Sequence, residues 1–166
     1  MSTTEIIPCV NDAMLKQTAE LAEKVWHEYF SSLLSPDQID YMVDMFQSER
    51  AMLEQVHEHS YGYWQVWHDG QLAGYIGLQF QPEKLFLSKL YLAKEFRHKG
   101  IASKMLETVY GQGRTHGYSH VWLTCNKYNA HSLDVYHAKG FETFDSQVTD
   151  IGRGYVMDDY WLEKAL

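Results

Sequence analysis

The stretch EFRHKGIASKML, residues 95–106, sets Arg97, His98 and Lys99 directly before Gly100, and an apolar helical pattern begins at once with Ile101, Met105 and Leu106. The chain carries a formal net charge of -8 at pH 7, so its densest positive cluster at the mouth of a helix needs a physical reason. A helix N-terminus presents unpaired backbone N–H groups and the positive end of its dipole. Gly100 removes the side chain that would block close approach, and small Ala102 acts the same way. The residues before it, KLFLSKLYLA, alternate as a strand does. Strand, short loop, basic turn with glycine, helix: this order makes a phosphate cradle. It is not a Walker loop, which needs Gly-Lys-Ser/Thr, and it lacks the dinucleotide glycine pattern.

Outward from the cradle, the flanking periods define the fold class. KLFLSKLYLA follows Pro82 as the last of three alternating stretches. The other two lie in YGYWQVWHDGQLAGYIGLQF and meet at Asp69-Gly70, a two-residue hairpin turn. Upstream, Glu5 to Val10 forms a short strand and Asn11 caps a helix with Asp12 in its first turn. Leu15, Ala19, Ala22, Trp26 and Tyr29 draw one apolar face along that helix. Ser35-Pro36-Asp37-Gln38 is a capping box, with Ser35 as cap and Gln38 reaching back. Ile39, Met42, Val43 and Phe46 follow at helical spacing, and another helix runs from about Ser48 to His59, with Leu53 and Val56 as contacts. Downstream, the cradle helix is expected to fade at Gly111, Gly113 and Gly117. HVWLTC is a buried strand. Asn129 opens a helix ending at Lys139-Gly140-Phe141, where Gly140 fits a left-handed cap with Phe141 folded back. FETFDSQV and YVMDDYWLEKAL alternate again. The order implies a mixed sheet covered by helices, of the α/β (α+β) class.

At 166 residues the chain is one domain, residues 1–166, long enough to bury a real core. The acidic balance argues against a nucleic-acid partner, since no broad basic stripe is present to neutralise a phosphate backbone. The start, MSTTEIIPCVNDAML, has no basic and apolar leader pattern, and no stretch is apolar enough to span a bilayer, so no membrane partner is expected. Cys9 and Cys125 lie far apart without ligand spacing, which suits a reducing, cytoplasmic location.

A second constellation lies in LTCNKYNAHSLDVYHAKGF, residues 123–141. Asn129 caps the helix, Ser132 lies one turn in, and Tyr136 follows one turn later on about the same face. Taken singly these are a cap, a surface serine and a packed tyrosine. Together, LYLAKEFRHKGIASKML and NAHSLDVYHAKGF resemble the acetyl-CoA-binding core of the GNAT superfamily of N-acetyltransferases. Arg97, Gly100 and Ala102 match that family's Arg/Gln-x-x-Gly-x-Gly/Ala loop, while Asn129, Ser132, Tyr136, Gly140 and Phe141 match its second block. The two blocks cover roughly a third of the chain, and the strand order extends the match to nearly all of it.

The resemblance implies a mostly antiparallel sheet whose SKLYL strand bends away from VWLTC, often at a bulge. It implies a pantetheine arm paired with the backbone of Leu90 and Leu92, on either side of Tyr91, with the Leu92 N–H polarising the thioester carbonyl. The backbone of Arg97, His98, Lys99, Gly100, Ile101, Ala102 and Ser103 is expected to take the pyrophosphate. Asn129 is expected to hold the pantetheine, Ser132 to leave room for it, and Tyr136 to act as general acid at the sulfur. The family's fourth-strand base is missing: the comparable positions are Phe86 and Ser88. Glu83, Asp158 and Asp159 are the alternatives, and the base stays unassigned.

The expected reaction is direct acetyl transfer from acetyl-CoA to a small-molecule primary amine. TCNKYN and DIGRGYVMDDYWLEKAL are similar to the spermidine/spermine acetyltransferase-like branch, and Asp37, Asp40 and Asp44 on an acceptor-side helix would suit a polyamine. A peptide N-terminus, or an inactive acyl-CoA-binding module, are the alternatives. A homodimer is expected by family analogy. No metal site is expected: His57 with His59, His116 with His120, and His131 with His137 lack further ligands. Cys125 reads as a core thiol, and Tyr61, Tyr63, Trp64 and Trp67 as strand packing.

Overall fold

The computed structural model describes residues 2–166. The chain order is β1 (Thr4–Pro8), α1 (Asp12–Phe30), α2 (Pro36–Met42), a π-helical turn (Val43–Gln47), α3 (Glu49–Glu58), β2 (Tyr61–His68), β3 (Gln71–Phe80), β4 (Leu85–Leu92), a 3-10 turn (Lys94–Phe96), α4 (Ile101–Thr115), β5 (His120–Asn126), α5 (Ala130–Ala138), β6 (Glu142–Gly152) and β7 (Tyr155–Ala165). The seven strands form one sheet in the order β1-β2-β3-β4-β5-β7-β6. Every neighbouring pair is antiparallel except β4 with β5. No helix is long and apolar enough to cross a membrane among the described residues.

Local chemistry sets most boundaries. Asn11 Oδ1 accepts from Met14 N at 2.9 Å, and Ser48 Oγ accepts from Ala51 N at 3.2 Å, so α1 and α3 start on side-chain caps. The capping box at α2 is only half made. Ser35 Oγ accepts from Gln38 N, but the Gln38 amide donates across to the Val156 carbonyl at 3.2 Å instead of turning back. The hairpin at Asp69-Gly70 has φ of 49° and 78°, the left-handed pair that a two-residue turn requires. At the end of α5, Phe141 N donates to Tyr136 O and Gly140 N to His137 O, both at 3.0 Å, closing the expected left-handed cap.

A second expectation fails. The cradle helix runs through Gly111 and Gly113 to Thr115. Gly113 is buried where Leu166 and Leu85 press on the helix, so tertiary packing offsets its poor helix propensity, about 1 kcal/mol.

The helices cover both faces. Ile101, Met105, Leu106 and Val109 of α4 share a buried cluster with Ile76, Leu78, Leu123, Phe141 and Leu162. Tyr63 and Tyr75 form a second cluster with Leu15, Ala19 and Ala22 of α1 and Met52 of α3. A third joins Trp26 and Phe30 to Ile39 and Met42 of α2, with Met157 packed on it. Fully burying one such side chain is worth about 1.5–3 kcal/mol, so these three clusters fix the sheet between its helical layers.

Candidate active site

The feature that shapes the site is a failure of pairing in mid-sheet. β4 and β5 are joined only at Leu85–Val121 and Phe86–Trp122. Immediately beyond, the β3–β4 register skips Ser88: Gly77 faces Lys89 and Leu78 faces Leu87. This bulge turns β4 away from β5, as the resemblance implied. Ala93 N donates to Ala73 O at 2.8 Å, and bonded and non-bonded pairs alternate along an antiparallel ladder. The pairs Gly74–Leu92 and Ile76–Leu90 are therefore the non-bonded ones. Leu90 and Leu92 thus aim their backbone N–H and C=O groups into the gap, on either side of Tyr91.

The Leu92 carbonyl is already engaged. Arg97 donates to it from Nε at 3.3 Å and from Nη2 at 3.2 Å, with its guanidinium 5.1 Å from the centre of the Tyr29 ring. The side chain of Arg97 is therefore turned toward the strand, and only its backbone faces the cradle.

At the cradle, His98 has φ of 62° and Gly100 of 78°, an alternation that turns successive N–H groups toward one concavity. Helices α1, α2, α3 and α5 all have a side-chain cap, while α4 has none. The first N–H groups of α4, from Ile101, Ala102 and Ser103, are left open to an anion. A Cβ on Gly100 would meet nothing within 4 Å, so the mouth is clear, and His98, Lys99 and Gly100 are exposed. Lys139, at the far end of α5, donates to Ser103 Oγ at 2.7 Å and adds a positive charge to the same mouth. Open strand backbone and an open helix N-terminus lie in sequence along β4 and α4. They fit an extended amide-bearing arm ending in a pyrophosphate, the shape of coenzyme A.

A cavity of about 270 Å³ occupies the gap. Its walls include Leu90 and Tyr91 of β4, Cys125 and Asn126 of β5, and Asn129, Ser132 and Tyr136 at α5. Asn129 Oδ1 caps α5 by accepting from Ser132 N at 3.3 Å, which leaves its amide NH2 for the cavity. Ser132 is buried and its hydroxyl is hydrogen-bonded to that of Tyr29, so α1 touches α5 across the cavity's flank. Tyr136 is half-buried with its ring 5.5 Å from Phe141. Burial, with smaller contributions from Tyr29, Cys125 and Tyr110, pushes its phenol well above the usual tyrosine range. The phenol stays protonated at neutral pH.

The candidate bases separate. Glu83 is exposed and does not line the cavity; Phe86, Ser88 and Asp159 do. Asp158 pairs with Lys127 Nζ at 3.0 Å. Burial, then the neighbouring Asp158 charge, raises Asp159 to about 6, with Lys127 pulling the other way. Burial also pushes the Cys125 thiol up to about 12, which excludes a ready thiolate. Asp37, Asp40 and Asp44 are exposed and none lines the cavity; Asp40 pairs with His27 at 3.0 Å and Asp44 with Arg50 at 3.6 Å. The acidic helix face that favoured a polyamine therefore looks outward. Glu54, Glu58 and His59 converge within 4.8 Å, but all three are exposed and outside the cavity.

Packing brings in residues that local motifs did not single out: Lys89, Tyr29 as the partner of Ser132, and Lys139. Tyr29 had shown only as part of an apolar helical face, and Lys139 only as part of a helix end.

The comparisons with known proteins agree with this geometry. The sequence model of the acetyltransferase (GNAT) family matches residues 19–141. An uncharacterized N-acetyltransferase from the pepI 3' region of Lactobacillus delbrueckii subsp. lactis is 29% identical over 106 residues, covering 59% of this chain and 61% of its own. N-acetyltransferase 8 of Rattus norvegicus is 26% identical over 137 residues, 79% of this chain and 57% of its own. The chain thus spans less than two thirds of the length of these curated relatives. Among solved structures, the PaiA N-acetyltransferase of Thermoplasma acidophilum in complex with coenzyme A superposes with a TM-score of 0.82 over 99% of both chains, at 21% identity. With a match running from α1 through the end of α5, across the splayed strands and the open helix, the chain belongs to the acetyltransferase (GNAT) family.

Proposed function

We propose that the chain transfers the acetyl group of acetyl-CoA directly to the nitrogen of a small primary amine, with both substrates bound together. The observation that carries this reading is the gap between β4 and β5 leading to the uncapped N-terminus of α4. In it, the backbone of Leu90 and Leu92 pairs with the pantetheine arm, and the Asn129 amide holds it from α5. Ser132, freed from Tyr29, gives the arm room. The N–H groups from Arg97 to Ser103 take the pyrophosphate, with Lys99 and Lys139 adding charge nearby.

Bound acetyl-CoA supplies an activated acetyl group and a thiol leaving group of ordinary pKa about 8.5. The Leu92 N–H, aimed into the gap, stabilises charge that develops on the acetyl oxygen. Tyr136, kept protonated by burial, donates to the leaving sulfur. Holding amine and acetyl group together removes the entropy of bringing them into contact. The likeness to the spermidine/spermine-like branch no longer has the acidic helix behind it, because Asp37, Asp40 and Asp44 point to solvent.

Thiol release from acetyl-CoA across a panel of small amines, polyamines and short peptides tests the reading. With the best acceptor, Tyr136→Phe lowers kcat by about 10²-fold and leaves the KM for acetyl-CoA within a few-fold. An unchanged kcat removes Tyr136 from the acid role. Tight acetyl-CoA binding with no product from any amine makes the chain a binding module instead.

A further inference from the structure

Asp159 is a carboxylate with only 6% of its surface exposed, and that surface faces the cavity. No side chain or backbone donor holds it among the described residues, whereas its neighbour Asp158 has Lys127. Buried carboxylates are normally paired or hydrogen-bonded. An open one on a cavity wall is a place for a cation that arrives from outside.

Strand alternation says which side of the sheet it serves. Met157 and Asp159 are two residues apart on β7 and share a face. Met157 packs on Trp26, Phe30, Ile39 and Met42, so that face belongs to α1 and α2. Tyr160 points the other way, into the cluster that holds Tyr136 and the residues of α4. Asp159 and Tyr136 therefore line one cavity from opposite faces of the sheet.

Resting on the acetyl-transfer reading above, we propose that Asp159 receives the acceptor's ammonium and takes its proton, and that the acceptor is a compact monoamine with an apolar or aromatic arm. The arm's wall is Trp26, Phe30, Met42, Phe46 and Met157. Asp159 is the only carboxylate among the residues lining the cavity, so the second and third ammonium groups of a polyamine find no counter-charge there. Lys89, the one lysine on the same walls, would meet them as a like charge if protonated.

The proton path balances. The first ammonium proton passes to the Asp159 carboxylate and then to solvent, leaving a lone pair that forms the N–C bond. As the C–S bond breaks, Tyr136 protonates the sulfur, and the second proton leaving the nitrogen restores the Tyr136 phenol. The charged and titratable groups around Asp159 are Asp158 on its own strand, Lys127 after β5 and Cys125 on β5. Of these, Lys127 favours the charged form, Asp158 opposes it, and Cys125 remains a neutral thiol.

The test uses the full chain and the variants Asp159→Asn and Asp158→Asn. Calorimetry with phenethylammonium alone, at neutral pH, measures the site without acetyl-CoA. We expect Asp159→Asn to weaken binding at least tenfold, and Asp158→Asn to stay within about threefold. In turnover, wild-type kcat/KM for phenethylamine falls on the acid side near pH 6, the titration of Asp159. Asp159→Asn loses that limb and about 10²-fold in rate. Phenethylamine is a better acceptor than spermidine. Retained binding and a retained acid limb in Asp159→Asn overturn the assignment, as does a preference for spermidine. Weakened binding in Asp159→Asn with no acetylated product from any amine supports the ammonium site and overturns the acetyl-transfer reading.

Discussion

Lys89 is a lysine with 3% of its surface exposed and no carboxylate partner among the described residues. Its Nζ donates to the Phe46 carbonyl, to Tyr63 Oη and, at 3.0 Å, to Gln55 Oε1. Burial drives its pKa well below the ordinary lysine value. Between that depressed value and the ordinary 10.5, the unfolded chain binds a proton that the folded chain does not, so stability rises with pH. Removing Lys89 does not orphan its partners: Tyr63 Oη still donates to Gln55 Oε1 at 2.5 Å, and Gln55 Nε2 to Phe46 O at 3.1 Å. Replacing a lysine whose proton is lost on folding by an apolar side chain of similar length removes that cost, so the change is neutral or stabilising. Lys89→Met should therefore match or exceed wild type by about 1 kcal/mol at pH 7, with the gap closing as pH approaches 10. Urea denaturation at several pH values measures this, and a gap that does not change with pH would contradict it.

At the scale of an element, β4 is held in place by a glycine on β3. A Cβ at Gly74 would press into the Tyr91 carbonyl oxygen and lie 3.3 Å from Leu92 Cα. Neither is the far end of a flexible side chain, so the strand itself must move. Gly74→Ala is expected to destabilise by roughly 1–3 kcal/mol, the range for overpacked sites, and to lower Tm by about 2–12 °C. Because Leu92 is displaced, kcat should fall further than the loss of folded protein explains. A variant that melts within a degree of wild type would show that β4 yields freely. Nothing in the LAGYIG stretch marked Gly74 as a contact point, because the crowding comes from a strand more than ten residues away. The elements set by short-range chemistry were legible: Asn11, Ser35 and Asn129 as caps, Asp69-Gly70 as the hairpin, and Gly140 with Phe141 as a helix end. Gln38 departed from its motif because the β7 carbonyl of Val156 competes for its amide.

For the molecule as a whole, the cradle could be read from the sequence because all its parts lie within one loop and one helix turn. The sheet order could not: placing β7 between β5 and β6 depends on long-range packing that no local period encodes. The same packing decides that Asp159 lines the cavity while Asp158 pairs with Lys127, and adjacent identical residues gave no way to rank them. It also turns Asp37, Asp40 and Asp44 outward, since Ile39 and Met42 take the buried side of α2. The two halves of the sheet are stitched by the residue pairs Leu85–Val121 and Phe86–Trp122. Amide protons in a central strand normally exchange with solvent deuterium only when the protein unfolds. Here the Leu90 and Leu92 amides should exchange orders of magnitude faster than their neighbours Lys89 and Tyr91, which are bonded to β3. Saturating coenzyme A should erase that alternation, so that one labelling experiment on the free and bound protein reads the missing strand directly from the backbone.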